Sequence, residues 1–254
     1  MNFTAHVGPQ TLLSQLTQSL TPAQLDIIKV LALIAMVLDH FNTLFLTHPD
    51  PLLYTAGRMA FPLFTFIWAI NVLRDPGRLQ IRANRLWVWA LITQPAFTLT
   101  FQHQMPWYAL NILFVFAAVT QLLALYHRYG WKGLLAGTFL LAVLVKPLMP
   151  CSFGLAGLAL AISMALTFSV SSPTRFGIVA VSLSLFFLNG TAHLISQPAD
   201  TLLLAILPTL VLPWMAVVLV LQVSLLGNKR FMPPRFFYFA YAGHLLLAGL
   251  LLQF

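Results

Sequence analysis

Four ionisable side chains stand inside stretches that otherwise read as hydrocarbon. Asp39 and His40 lie near the far end of an apolar run from Ile27 to Phe45, Arg58 opens the next run, and His244 sits in the last one. Placing such groups in lipid is costly unless they face a protein interior or a wet cavity, so they mark functional positions. An imidazole exchanges a proton near neutral pH, and a guanidinium pairs with a carboxylate or holds an anionic group. The set therefore suits general acid–base chemistry by His40, with Asp39 and Arg58 beside it and His244 as a second proton carrier. The structural alternative is an Asp39–Arg58 ion pair with a hydrogen-bonded histidine, since neither charge is tolerable unpaired.

Other polar residues punctuate the apolar runs at comparable depths. His244 is nine residues past Arg235, which at 1.5 Å per residue is roughly 13 Å in, near a bilayer midplane. Gln94 lies at similar depth and is a candidate contact for a bound co-substrate. Asn111 follows Trp107 and Tyr108, an aromatic pair that serves either as an acceptor-binding surface or as an interfacial belt. Asn71, Asn84 and Arg85 lie toward the opposite end, where a phosphate-rich co-substrate would meet them, although Arg85 alone also reads as a topology signal. Gln94 and Asn111 are side chains that commonly bond one helix to another.

The elements that must position these groups follow from composition. In 254 residues, 60% are hydrophobic and only 7% charged, with a mean hydropathy of +0.89, which excludes a soluble globular domain. The expected fold is an all-α, polytopic membrane bundle. Nine stretches are long and apolar enough to be read as spans: 26 to 46, 57 to 73, 85 to 102, 108 to 127, 132 to 149, 152 to 171, 175 to 195, 201 to 226 and 236 to 254. Residues 1–25 form a polar N-terminal segment, without the features of a cleavable signal peptide, and residues 26–254 a single transmembrane domain. Pro62 and Pro95 fall inside predicted helices, where they remove a backbone hydrogen bond and can open a cavity. The lone cysteine, Cys151, rules out an internal disulfide.

Lys and Arg alternate between connections. Arg74, Arg78, Arg82 and Arg85, then Arg128 and Lys132, Arg175, and Lys229, Arg230 and Arg235 all fall on one side. Only Arg58 and Lys146 fall on the other, both at helix edges. Cytoplasmic loops collect these residues, so the N-terminus is expected in the cytoplasm. The net charge of +8 follows from this bias and does not call for nucleic acid as a partner. Phosphate loops, nucleophile elbows, H-E-x-x-H and glycine-rich dinucleotide fingerprints are missing. With five acidic residues, of which only Asp39 is deep in a helix, no metal is expected.

Seven segments carry a resemblance: Asp26-Ile27-Ile28-Lys29, Met36-Val37-Leu38-Asp39-His40, Ala56-Gly57-Arg58, Ala60-Phe61-Pro62-Leu63-Phe64, Asn84-Arg85-Leu86-Trp87, Trp107-Tyr108 with Asn111-Ile112-Leu113-Phe114, and Tyr241-Ala242-Gly243-His244-Leu245. In this order they resemble the TraX family of conjugative plasmids, to which TrbP of other conjugation systems is similar. More distantly they are like transmembrane acyltransferases. The resemblance implies a multi-pass protein of the bacterial inner membrane that transfers an acetyl group from acetyl-CoA to the amino terminus of an F-type pilin. It implies a catalytic role for His40, with Asp39 orienting it and Arg58, Asn111 or Tyr108 holding the acceptor or the oxyanion. Asn84 and Arg85 would then meet the nucleotide. Two other readings stay open: a non-enzymatic transporter or pilus-assembly scaffold, and an acyltransferase acting on a sugar or lipid hydroxyl.

Overall fold

The computed structural model describes residues 20–150, 153–169, 175–189, 193–223 and 229–254. Cys151 and most of the polar N-terminal segment lie outside the described residues. All regular structure among the described residues is helical. The elements are α1 Pro22–Leu44, α2 Pro51–Gly57, α3 Ala60–Leu73, α4 Leu79–Phe101, α5 Leu113–Tyr129, α6 Trp131–Leu148, α7 Gly154–Ser169, α8 Arg175–Leu188, α9 Pro198–Gln222 and α10 Phe236–Leu251. Within α9, residues Thr201–Ile206 form a π-helical turn.

Each apolar stretch falls on one of these helices, with α2 and α3 sharing the second. Among the described residues, four rods are long and apolar enough to cross a membrane: α1, the α2–α3 pair over Pro51–Leu73, α6 and α9. Helices α7, α8 and α10 are apolar but shorter. Nine spans is the expectation from sequence, and among the described residues length and composition support four.

Helix ends differ from the hydropathy boundaries because caps, not apolarity, set them. Thr21 closes a capping box with Gln24, and Pro22 sits in the first turn, so α1 starts before its apolar run. Gln24 also donates to the carbonyls of Val220 (3.2 Å) and Leu221 (3.3 Å), joining the start of α1 to the end of α9. Asp50 caps α2 by accepting from the Leu52 and Leu53 N–H groups. Asn42 exchanges two hydrogen bonds with the Asp50 backbone. That turn folds α2 back along α1. At the start of α5, the Asn111 Oδ1 accepts from Leu113 N–H at 3.0 Å, so the helix begins at 113 rather than 108.

The α2–α3 rod is the most enclosed of the four, with 67% of its apolar window buried against 28% for α1. It packs on α1 and α7, while α5 lies between α4 and α6, and α9 lies against α1 and α8. Helix α10 runs along α4. There a Cβ on Gly249 would meet Thr100 Oγ1 at 2.9 Å, and that hydroxyl donates to the Leu245 carbonyl at 2.6 Å. A small residue and a cross-helix hydrogen bond thus draw α10 close, and this docking is what places His244.

Candidate active site

His40, from α1, and His244, from α10, meet side by side. Nδ1 of His40 lies 2.9 Å from Nε2 of His244, and the rings stack with centroids 5.2 Å apart. The second nitrogen of His244 fixes the proton pattern. Nδ1 of His244 lies 3.1 Å from the Ala240 carbonyl, which can only accept, so this nitrogen carries hydrogen. In the neutral pair Nε2 of His244 is then bare and accepts from Nδ1–H of His40. The chain of donors leaves Nε2 of His40 with its lone pair, the form a general base requires. The Phe101 ring edge, 5.4 Å away, holds the His40 ring from another side.

Asp39 pairs with Arg58 through Oδ1 and Nη2. Asp39 Oδ1 is thus engaged by Arg58, while the hydrogen-bond partner of the His40 ring is His244. Arg58 is held on all sides: Nη1 donates to Asn189 Oδ1 at 2.8 Å, Nε donates to the Tyr54 carbonyl at 3.2 Å, and the guanidinium lies 4.2 Å from the Tyr54 ring centroid. Asn189 in turn donates to Thr209 Oγ1 at 2.9 Å. Gly57 lets α2 approach the carboxylate, because a Cβ there would stand 2.5 Å from Asp39 Oδ1. Gly57→Ala is therefore expected to displace the Asp39 side chain and cost about 1–3 kcal/mol as overpacking, read as a lowered thermal midpoint in detergent.

Asp39, His40, Gly57, Arg58 and Asn189 line a cavity of about 250 Å³, walled by aromatic side chains that include Phe61, Phe97 and Phe153. A second cavity of about 560 Å³ opens toward the basic end of the bundle. Lys29, Arg74, Arg78, Arg82, Arg85, Arg230 and Arg235 line it, and no carboxylate does among the described residues. Arg82 donates to the Asn71 and Val72 carbonyls at the end of α3. Burial, and then the nearby Arg230, push the Arg74 guanidinium below its ordinary value. So many like charges around one concavity favour a polyanion. Four residues, Met36, Phe64, Ile112 and Tyr241, line both cavities, so the two adjoin.

The strap that carries Arg230 and Arg235 is tied down by Asp26. This buried carboxylate accepts from Lys29 Nζ at 2.7 Å and from the Met232 N–H at 3.1 Å. Asp26→Asn removes a charge-assisted bond worth about 1.5–3 kcal/mol and is expected to loosen the strap, raising the dissociation constant for a polyphosphate ligand measured by calorimetry while leaving the chain inserted.

Of the residues singled out by sequence, Asp39, His40 and Arg58 share the smaller cavity with His244 beside them, and Asn71 and Arg85 line the larger. Asn84 is exposed and accepts from Gln80. Gln94 and Asn111 bond to each other and to the Ala109 and Ala90 carbonyls, lining neither cavity. Trp107, 86% exposed, and Tyr108 stack edge to face away from both. Asn189 escaped the sequence reading, although a lone amide after Phe186-Phe187-Leu188 was a legible signal. Of the other basic side chains around the larger cavity, Arg74, Arg78, Arg82, Arg230 and Arg235 stand in the sequence as markers of orientation, and Lys29 only within a matched segment.

The TraX family model, described as TraX protein, matches residues 24–252. Protein TraX of Escherichia coli is 39% identical over 235 residues, covering 91% of this chain and 88% of the relative. Protein TraX of Escherichia coli strain K12 is 38% identical over 236 residues, with the same coverage. No solved structure matches. A family model spanning nine-tenths of the sequence and two relatives of nearly equal length settle the kinship: the chain belongs to the TraX family.

Proposed function

We propose that the protein is an acetyl-CoA-dependent N-acetyltransferase of the bacterial inner membrane, acting on the amino terminus of a conjugative pilin during pilus maturation. The observation that carries this reading is the adjoining pair of cavities, one ringed by cations and the other lined by His40, which bonds to His244 behind it. Acetyl-CoA is made in the cytosol and carries several phosphate charges. Its nucleotide end suits the larger cavity, where Lys29, Arg74, Arg82 and Arg85 supply charge and Asn71 lies alongside. The thioester then extends past Met36 and Tyr241 toward His40.

A pilin amino terminus is mostly protonated at neutral pH, since an α-amine has a pKa of about 8, and must become neutral to attack. Its nitrogen adds to the thioester carbonyl, forming the C–N bond. The adduct nitrogen gives its proton to Nε2 of His40, and His40 shares the charge with His244 through Nδ1–H. Collapse breaks the C–S bond, and the imidazolium returns the proton to the departing thiolate. The products are an N-acetyl amide and the free CoA thiol. Arg58, held by Asp39 and Asn189, supplies positive charge in the same cavity for the developing oxyanion. Gln94 and Asn111 act at a distance, by fixing the junction of α4 with α5.

Purified chain in vesicles with F-type pilin and acetyl-labelled CoA tests this. Label is expected on the pilin amino terminus. Binding of acetyl-CoA without transfer, or no binding, would instead favour a scaffold or transporter, and label on a lipid or sugar hydroxyl would change the acceptor.

A further inference from the structure

A chain of polar groups leaves the smaller cavity at Arg58 and ends inside the bundle, on α9. A guanidinium carries only donors, so the atom of Asn189 that faces it is the amide oxygen, 2.8 Å from Nη1. The amide nitrogen turns the other way and donates to Thr209 Oγ1 at 2.9 Å. Thr209 gives its own hydrogen to the Ala205 carbonyl at 2.7 Å, one turn back in α9, and so keeps a lone pair for Asn189. The direction of every bond is therefore fixed. Asn189 is 5% exposed and Thr209 fully buried, so water does not stand in for either partner. Helix α9 also reaches the segment that carries Arg58. Pro208 has no N–H to offer the Leu204 carbonyl four residues earlier, and the Thr55 hydroxyl of α2 donates to that carbonyl at 3.3 Å.

Resting on the acetyltransferase reading, in which Arg58 faces the oxyanion, we infer that Thr209 is a positioning residue: its hydroxyl holds the Asn189 amide, and that amide aims the Arg58 guanidinium. Thr209 lines neither cavity and acts only through Asn189. A fixed charge stabilises an oxyanion best when it is already aimed at the place where the negative charge develops. Asp39 engages Nη2, the Tyr54 carbonyl engages Nε, and Asn189 engages Nη1. Without Thr209 the amide nitrogen loses its acceptor, the Asn189 side chain is free to turn, and the guanidinium loses one of these three fixed points.

The full chain in vesicles with F-type pilin and acetyl-CoA tests this, with transfer rates taken per folded protein. Thr209→Val keeps the shape and removes the hydroxyl. It is expected to lower kcat by about tenfold, roughly the worth of the Asn189–Arg58 bond as a hydrogen bond to a charged group, with KM for acetyl-CoA unchanged. Thr209→Ser keeps the hydroxyl and is expected to restore the rate. The deciding comparison is a cycle with Asn189→Ala: adding Thr209→Val to that variant is expected to lower the rate no further, because the group it acts through is already gone. An equal loss from Thr209→Val in both backgrounds, a Thr209→Ser rate as low as that of Thr209→Val, or a Thr209→Val with wild-type kcat overturns the inference and leaves the acetyltransferase reading standing. If Thr209→Val is not recovered folded, Thr209→Cys, close in size and with only a weak acceptor, goes through the same cycle with the same outcomes. A folded wild type that transfers no acetyl group to pilin removes both the inference and the reading beneath it.

Discussion

His40→Ala is expected to lower acetyl transfer by about 10²- to 10⁴-fold, the usual contribution of a positioned acid–base group, while the chain stays folded and inserted. The expectation comes from the proton pattern of the pair. His244 donates to the Ala240 carbonyl and accepts from His40, which leaves Nε2 of His40 as the basic nitrogen. Removing His40 takes away that nitrogen, but it leaves no buried charge unpaired, because Asp39 is satisfied by Arg58. His244→Ala removes only the ring that holds the tautomer and shares the charge, so its loss is expected to be smaller. Transfer rates on pilin, set beside size-exclusion profiles of the variants, check both. Equal activity in His40→Ala and wild type would remove the base assignment.

The second large effect is on stability. Arg58→Ala strips the partner from Asp39, whose carboxylate lies in a mostly apolar, aromatic-walled cavity, and also orphans Asn189 Oδ1. Breaking a fully buried pair from one side costs about 3–5 kcal/mol; with Asp39 a quarter exposed, solvent screening brings the expected loss below that range. The variant is expected to show a clearly lower thermal midpoint and reduced recovery from membranes. Replacing both partners, as Asp39→Asn with Arg58→Gln, leaves no net charge and is expected to recover much of the midpoint without recovering transfer. A single Arg58→Ala with wild-type stability would show that water already screens the pair.

Some of this was legible in the sequence for physical reasons. A charge in an apolar run is conspicuous, so Asp39, His40, Arg58 and His244 stood out. Asp39 and Arg58 are 19 residues apart across one turn, close enough for their pairing to be anticipated. The meeting of His40 with His244 spans 204 positions and depends on how Gly249 and Thr100 seat α10 against α4, a packing detail that hydropathy does not contain. Gln94 and Asn111 read from sequence both as ligand candidates and as helix-bonding groups, and in the structure they bond to each other. Asn84 and Arg85 are neighbours in sequence, yet only Arg85 lines the basic cavity, because adjacent helical positions diverge. Thr21-Pro22 and Asp50-Pro51 carry ordinary helix-start chemistry, but they precede the apolar residues and so fall outside a boundary drawn by hydropathy alone.

The most direct measurement is the intact mass of the pilin amino-terminal peptide from cells carrying this chain, its His40→Ala variant, or neither. The account predicts one added acetyl group with the wild-type chain and an unmodified amine in the other two. An acetylated amino terminus in cells lacking the chain, or in those carrying His40→Ala at normal abundance, would contradict it.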